Sequence, residues 1–201
     1  LHILRHRNTP FQTLEFSPFG YDERQFASPG INLPVGRLTR TPNGAYPEYH
    51  TSADNMDLIT PSAMADSLAA YRAIFALIEN NHVYQSNFPY CEPQLGKRGL
   101  YRTTGGHGNP EQRQLAILWV LNQANGQHDL LDIAERSGLQ FEIIASVAAE
   151  LAAADVIRST SRYFPRLAWL SSSLRFVRRP HPAQLSAPHF PRFCVRTELA
   201  G

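Results

Sequence analysis

Apolar and polar residues alternate through Phe11-Gln12-Thr13-Leu14-Glu15-Phe16, the period-two pattern of a half-buried strand. Ser17-Pro18-Phe19-Gly20 then reads as a turn, and the apolar run from Ile31 to Arg40 reads as a second, buried strand ending in Gly36-Arg37-Leu38-Thr39-Arg40. The period changes after Thr60-Pro61, a hydroxyl N-cap followed by a proline at the first helical position. Met64, Leu68, Tyr71 and Phe75, with Ile74 and Ile78 widening the stripe, predict a helix packed on the sheet and stopping near Asn80-Asn81.

A second helical region begins at Asn109-Pro110, with Leu115, Leu118, Trp119 and Leu121 expected inward. Asp129 to Leu139 reads as a short capped helix and a glycine turn, and Phe141, Ile144, Val147 and Leu151 mark the inner face of the helix that follows. With Val156-Ile157-Arg158 as a strand, three helices and this Ile-Ala-Glu-x-x-Gly-Leu turn predict a winged helix-turn-helix. The expected fold class is therefore α/β, with 1–85 a sheet domain, 86–108 a linker, 109–160 the winged helix and 161–201 a tail.

Composition adds one asymmetry. The chain has 201 residues and a net charge of +2, but residues 161–201 hold seven Arg and one Glu, which leaves the preceding residues acidic. That tail, rich in Arg, Pro and Ser, reads as a basic arm for nucleic acid or anionic surfaces, as a disordered extension, or as a sequence artefact. The helix that would enter a DNA groove carries Glu142 and Glu150 and no base before Arg158, which argues against phosphate binding and hence nucleic acid as a partner. No apolar run approaches the ~20 residues of a membrane span, so no membrane partner is expected and the cytoplasm is the default location. Cys91 and Cys194 make neither a disulfide framework nor a metal knuckle. Gly96-Lys97-Arg98-Gly99 lacks the spacing of a phosphate-binding loop, so no nucleotide is assigned.

The candidate chemistry lies in Gly44-Ala45-Tyr46-Pro47-Glu48-Tyr49-His50-Thr51-Ser52-Ala53-Asp54-Asn55-Met56-Asp57, a segment too poor in aliphatic residues to be core. His50 is either a surface residue or a metal ligand, with Asp54 or a backbone carbonyl orienting its second nitrogen. Asp22 and Glu23 either begin a helix, where carboxylates suit the amino-terminal dipole, or belong to a site. Arg37 and Arg40 are surface or ion-paired residues, or a basic wall for a substrate carboxylate.

Taken together, GYDERQFASPGINLPVGRLTRTPNGAYPEYHTSADNMDLI resembles the last third of the catalytic domain of co-catalytic zinc aminopeptidases, the clan of glutamate carboxypeptidase and glutaminyl cyclase. Over about residues 1–160 the chain resembles more closely a group of bacterial aminopeptidase-like proteins, often named with polysaccharide biosynthesis, in which a winged helix follows the peptidase domain. The resemblance implies His50 as a zinc ligand, Asp54 as its orienting carboxylate, Tyr49 as a pocket wall, Asp22 in the network beside the metal, with Glu23 a second candidate, and Arg37 and Arg40 on the substrate. It further implies a peptide or amide substrate, metal-activated water as the attacking group, and remaining ligands that precede Leu1. On this reading the chain is a carboxy-terminal fragment, inactive alone, whose exposed sheet edges invite homo-oligomers. A non-catalytic interaction module or a DNA-binding regulator stand as the alternatives.

Overall fold

The computed structural model describes residues 1–7, 9–14, 21–31, 33, 35–100 and 110–160, together with the backbone of 193–197. The expected turn at 17–20, the glycine pair at 105–106 and most of the basic tail fall outside the described residues. The chain divides into two compact units, one comprising residues 1, 3–69 and 166–201, the other residue 2 and 70–165.

The first unit holds a three-stranded sheet in the order β1-β6-β2, made by β1 (Phe11–Leu14), β2 (Gly36–Thr39) and β6 (Phe193–Thr197). β6 runs parallel to β1, with Phe11 opposite Phe193, and antiparallel to β2, with Leu38 opposite Val195. Part of the expected tail is thus the central strand of this sheet: Cys194, Val195 and Arg196 lie in register with both neighbours. The second predicted strand is shorter than the run Ile31 to Arg40, because only Gly36–Thr39 finds a pairing partner. Ile31 and Leu33 are exposed rather than buried. Two short helices complete the unit's described part, α1 (His2–His6), whose first residue is grouped with the second unit, and α2 (Glu23–Phe26).

Helix α3 (Pro61–Asn80) starts as predicted, with the Thr60 hydroxyl accepting from the Ala63 amide at 3.2 Å. Its orientation differs from the expectation. Ala70 and Leu77 are its buried residues, whereas Met64, Leu68, Tyr71, Phe75 and Ile78 face outward. Asp66, on the inner side, ties the helix down by accepting from Arg7 at 2.6 Å and Arg40 at 2.8 Å.

The second unit is the winged helix, formed by β3 (Val83–Ser86), α4 (Pro110–Gln123), β4 (Asn125–Asp129), α5 (Leu130–Ser137), α6 (Phe141–Ala153) and β5 (Ile157–Ser159). β3 is the middle strand, antiparallel to both β4 and β5. This corrects the expected boundaries: Val83–Ser86 belongs to the winged-helix sheet, not to a first domain ending at 85. The segment after it is docked rather than a free linker, since Asn87 bonds the Asp155 carbonyl at 3.1 Å and Leu95 and Leu100 are buried.

The α5–α6 turn follows from the sequence directly. Asp129 caps α5 by accepting from the Asp132 amide at 2.8 Å, while Asp132 reciprocates to the Asp129 amide, a capping box. Asn81 adds a clamp, donating to Asp129 and accepting from the Leu131 amide at 2.8 Å. Gly138 ends α5 at φ +71°, the left-handed geometry that glycine adopts without strain. The predicted stripe Phe141, Ile144, Val147 and Leu151 is fully buried. On α4 the buried residues are Ala116, Ile117 and Val120, so the inner face is rotated from the predicted one and Leu115 and Leu118 are exposed. An ion pair between Arg113 and Glu150 joins α4 to α6.

Candidate functional site

The first unit gathers one cluster of aromatic and charged side chains from three places in the chain. Two of its members precede and open α2. Tyr21 is exposed, and Glu23, the first residue of the helix, is only 6% exposed. An isolated buried carboxylate is costly, and Glu23 is paired: Arg37 of β2 donates to it at 3.2 Å. The same guanidinium lies 5.7 Å from the centroid of the Tyr21 ring, within cation–π range.

The loop from Asn43 to Ile59 supplies the rest. The hydroxyls of Tyr21 and Tyr49 are 2.9 Å apart. Tyr49 also packs edge-on against Tyr46, with centroids 5.5 Å apart, and against the His50 imidazole at 4.0 Å. His50 has φ +59°, an uncommon conformation for a residue with a side chain and one that recurs at functional sites. The hydrogen bond to Tyr21 raises the Tyr49 phenol above its ordinary value of 10.0, followed by burial, while Arg37 opposes the rise. Either hydroxyl can be the donor of this bond. Burial raises Tyr46 as well, with Asp54 the next contributor.

The structure gathers some of the expected site residues and separates others. Tyr49, His50 and Arg37 belong to the cluster. Asp22 is exposed and contributes its carbonyl to the first turn of α2, accepting from the Gln25 amide at 2.9 Å. Its neighbour Glu23 is the carboxylate turned inward. Asp54 is exposed and acts on Tyr46; among the described residues it makes no hydrogen bond to His50, whose ring is held by Tyr49. Arg40 is engaged by Asp66 and by the Ala63 carbonyl at 3.3 Å. The part played by Tyr21 was not read from the sequence. A pair of tyrosines flanking an arginine-bearing strand is the signal that could have found it.

A metal needs several donors at one point. Among the described residues no three His, Cys, Asp or Glu side chains converge, so the cluster offers His50 as a single ligand and does not by itself fit zinc. What it offers is a wall of hydroxyl donors and aromatic faces over a neutralised Arg–Glu pair. No helix among the described residues is long and apolar enough to cross a membrane.

Comparison with known proteins divides the chain after residue 81, beyond the end of α3, rather than within that helix. Residues 1–81 match a family described as a domain of unknown function (DUF4910), and residues 82–159 match the winged helix-turn-helix family. The chain is similar to a Clostridium acetobutylicum protein named for polysaccharide biosynthesis and an aminopeptidase-like domain, with 44% identity over 156 residues, which are 78% of this chain and 36% of the relative. It is also similar to a crystal structure of a C. acetobutylicum protein named as a peptidase, with a TM-score of 0.70 and 40% identity, covering 79% of this chain and 34% of that one. The chain thus spans about a third of the length of these relatives.

Proposed function

Because the chain belongs with the bacterial aminopeptidase-like proteins that carry a winged helix, we propose that its first unit forms one wall of a zinc-dependent peptidase-like hydrolase site. In this reading His50 supplies one metal ligand and Tyr21, Tyr49 and Arg37 face a peptide or amide substrate. The other ligands come from polypeptide outside the described residues, and these residues alone do not hydrolyse. The observation that carries the reading is the convergence of Tyr21, Glu23, Arg37, Tyr49 and strained His50 in one unit.

The geometry also favours one substrate class within that reading. A guanidinium recognises a carboxylate best when its charge is uncompensated. Here Glu23 already accepts from Arg37, so an anionic group would have to compete with a buried carboxylate. Whichever of Tyr21 and Tyr49 accepts in their mutual bond keeps its own hydroxyl proton for a neutral acceptor. A peptide or amide carbonyl is the better match.

The test uses a longer relative such as the C. acetobutylicum protein, assayed for release of amino-terminal residues from peptides with and without zinc. Replacing the residue of that relative that aligns with His50 by alanine should lower zinc content and cut kcat/KM by more than about a hundredfold, since loss of an outer partner of a metal ligand already costs about 10–100-fold. Full activity after that substitution, or no hydrolysis by the zinc-loaded parent, would sink the proposal. In the second case the winged helix becomes the functional part, as a non-catalytic interaction module; the exposed Leu115 and Leu118 on α4 favour that reading.

A further inference from the structure

Glu23 is a carboxylate kept from water at the edge of the cluster. It is 6% exposed, and among the described residues its side-chain partner is the Arg37 guanidinium, 22% exposed, at 3.2 Å. Polypeptide added around this unit covers Glu23 further and does not uncover it. The other carboxylate of the unit that accepts from arginines, Asp66, has an architectural task, since it ties α3 to Arg7 and Arg40. Glu23 sits instead on the arginine that borders the tyrosines.

The pair leaves Arg37 with donors but without charge to offer. A guanidinium carries five N–H groups, and Glu23 takes one of them. The Tyr21 ring, its centroid 5.7 Å from the guanidinium carbon, lies beside the same group. A neutral carbonyl can accept from the remaining N–H groups without conflict. A second carboxylate on the same guanidinium would lie about 6 Å from the first, and at an effective dielectric of about 20 the repulsion is equivalent to about a hundredfold in affinity. The partial exposure of Arg37 lets salt and water reduce that to about tenfold.

We infer that Glu23 is the selectivity residue of this wall. By occupying Arg37 it turns an anion receptor into a hydrogen-bond donor for neutral carbonyls, and it excludes substrates that carry a carboxylate at that point. The role of Arg37 toward substrate rests on the hydrolase reading, whereas its test measures ligand binding to residues that do not hydrolyse alone.

The experiment follows the arginine side-chain N–H resonances of the full chain during titration with glutarate and with its uncharged counterpart glutaramide, at constant ionic strength. The exposed Arg24 is the internal reference. In the parent, glutarate should move Arg37 no more than glutaramide does. In Glu23→Gln, which keeps the shape and removes the charge, glutarate should bind at Arg37 at least about tenfold more tightly than in the parent, with glutaramide unchanged. Adding Arg37→Gln to that variant should abolish the gain, as read from the Tyr21 ring resonances. Folding of each variant is checked by circular dichroism, and should Glu23→Gln misfold, Glu23→Asp decides: withdrawing the carboxylate by one methylene should give a smaller gain of the same sign. Tighter glutarate binding at Arg37 than at Arg24 in the parent, no gain in a folded Glu23 variant, or a gain that survives loss of Arg37 each overturns the inference. Absence of hydrolysis by the longer relative would remove the hydrolase reading and leave these binding results standing.

Discussion

Replacing Asp66 by alanine removes the one carboxylate that accepts from both Arg7 and Arg40. The three side chains are between 24 and 34% exposed, so they are neither fully solvated nor buried. A charged hydrogen bond contributes about 1.5–3 kcal/mol when buried and a surface ion pair about 0.2–1 kcal/mol. About 1 kcal/mol each is the appropriate middle value, and the better helix propensity of alanine returns about 0.5 kcal/mol. Arg7 adds a small penalty, because its Nε is already buried without an acceptor and its head group would keep the residue-66 carbonyl, at 3.3 Å, but lose the carboxylate. The net loss is about 2 kcal/mol, or roughly a thirtyfold drop in protection against amide exchange. It should appear in α1, β2 and the first half of α3, with the winged-helix amides as the internal control. Hydrogen-bonding from Arg40 holds the Asp66 carboxyl below its ordinary value of 3.8. A lowered folded pKa stabilises fully above the ordinary value and drains away as pH falls through the folded one. The difference between parent and variant should therefore be constant from neutral pH to about 4 and close only below it. A loss under about 0.5 kcal/mol, or a difference that closes between about pH 5 and 8, would refute this account of what anchors α3.

Two further substitutions probe the site and the fold separately. Tyr21→Phe removes the hydroxyl bonded to Tyr49, so the Tyr49 phenol should titrate closer to its ordinary 10.0, as read from ring-labelled tyrosine resonances; an unchanged titration would mean the two hydroxyls are not bonded in solution. Gly138→Ala forces a side chain into a left-handed backbone at φ +71° with open space around it, so the cost is conformational, about 1 kcal/mol in urea unfolding of the second unit, and a neutral result would show that the turn relaxes.

The winged helix was legible because its determinants are local. A capping pair three residues apart, a glycine at the end of α5 and a single apolar stripe on α6 each act within one or two turns. The parts that were not legible depend on partners far away in sequence. Nothing in the adjacent pair Asp22-Glu23 says which carboxylate turns inward; Arg37, fourteen residues later, decides it. β3 is a four-residue strand without alternation, and only its two neighbours, with pairing partners forty or more residues downstream, make it one. α3 misled for a different reason: both of its faces are apolar, and periodicity alone favours the larger side chains for the core. The structure buries Ala70 and Leu77 instead, on the side of the helix where Asp66 accepts from two arginines.

The two units also differ in how they use polar groups. In the second unit these groups are committed to architecture. Asp129 and Asp132 cap α5, Asn81 clamps it, Arg113 holds Glu150, and His2 accepts from the Phe141 amide at 3.1 Å while its other nitrogen faces Glu135 at 2.9 Å. The imidazole thereby caps the start of α6, the end that a helix-turn-helix presents to base edges. That end of α6 is thus engaged by His2, with Glu142 in its first turn. In the first unit the opposite holds. The loop from Asn43 to Ile59 spends Tyr49 and His50 on one another and on Tyr21, fixes His50 at positive φ, and buries almost nothing. A loop ordered around polar and aromatic groups without a core of its own is arranged for contact with something other than its own chain. The polar groups of the second unit thus serve its own architecture, whereas those of the first unit's loop are gathered into one aromatic and charged cluster.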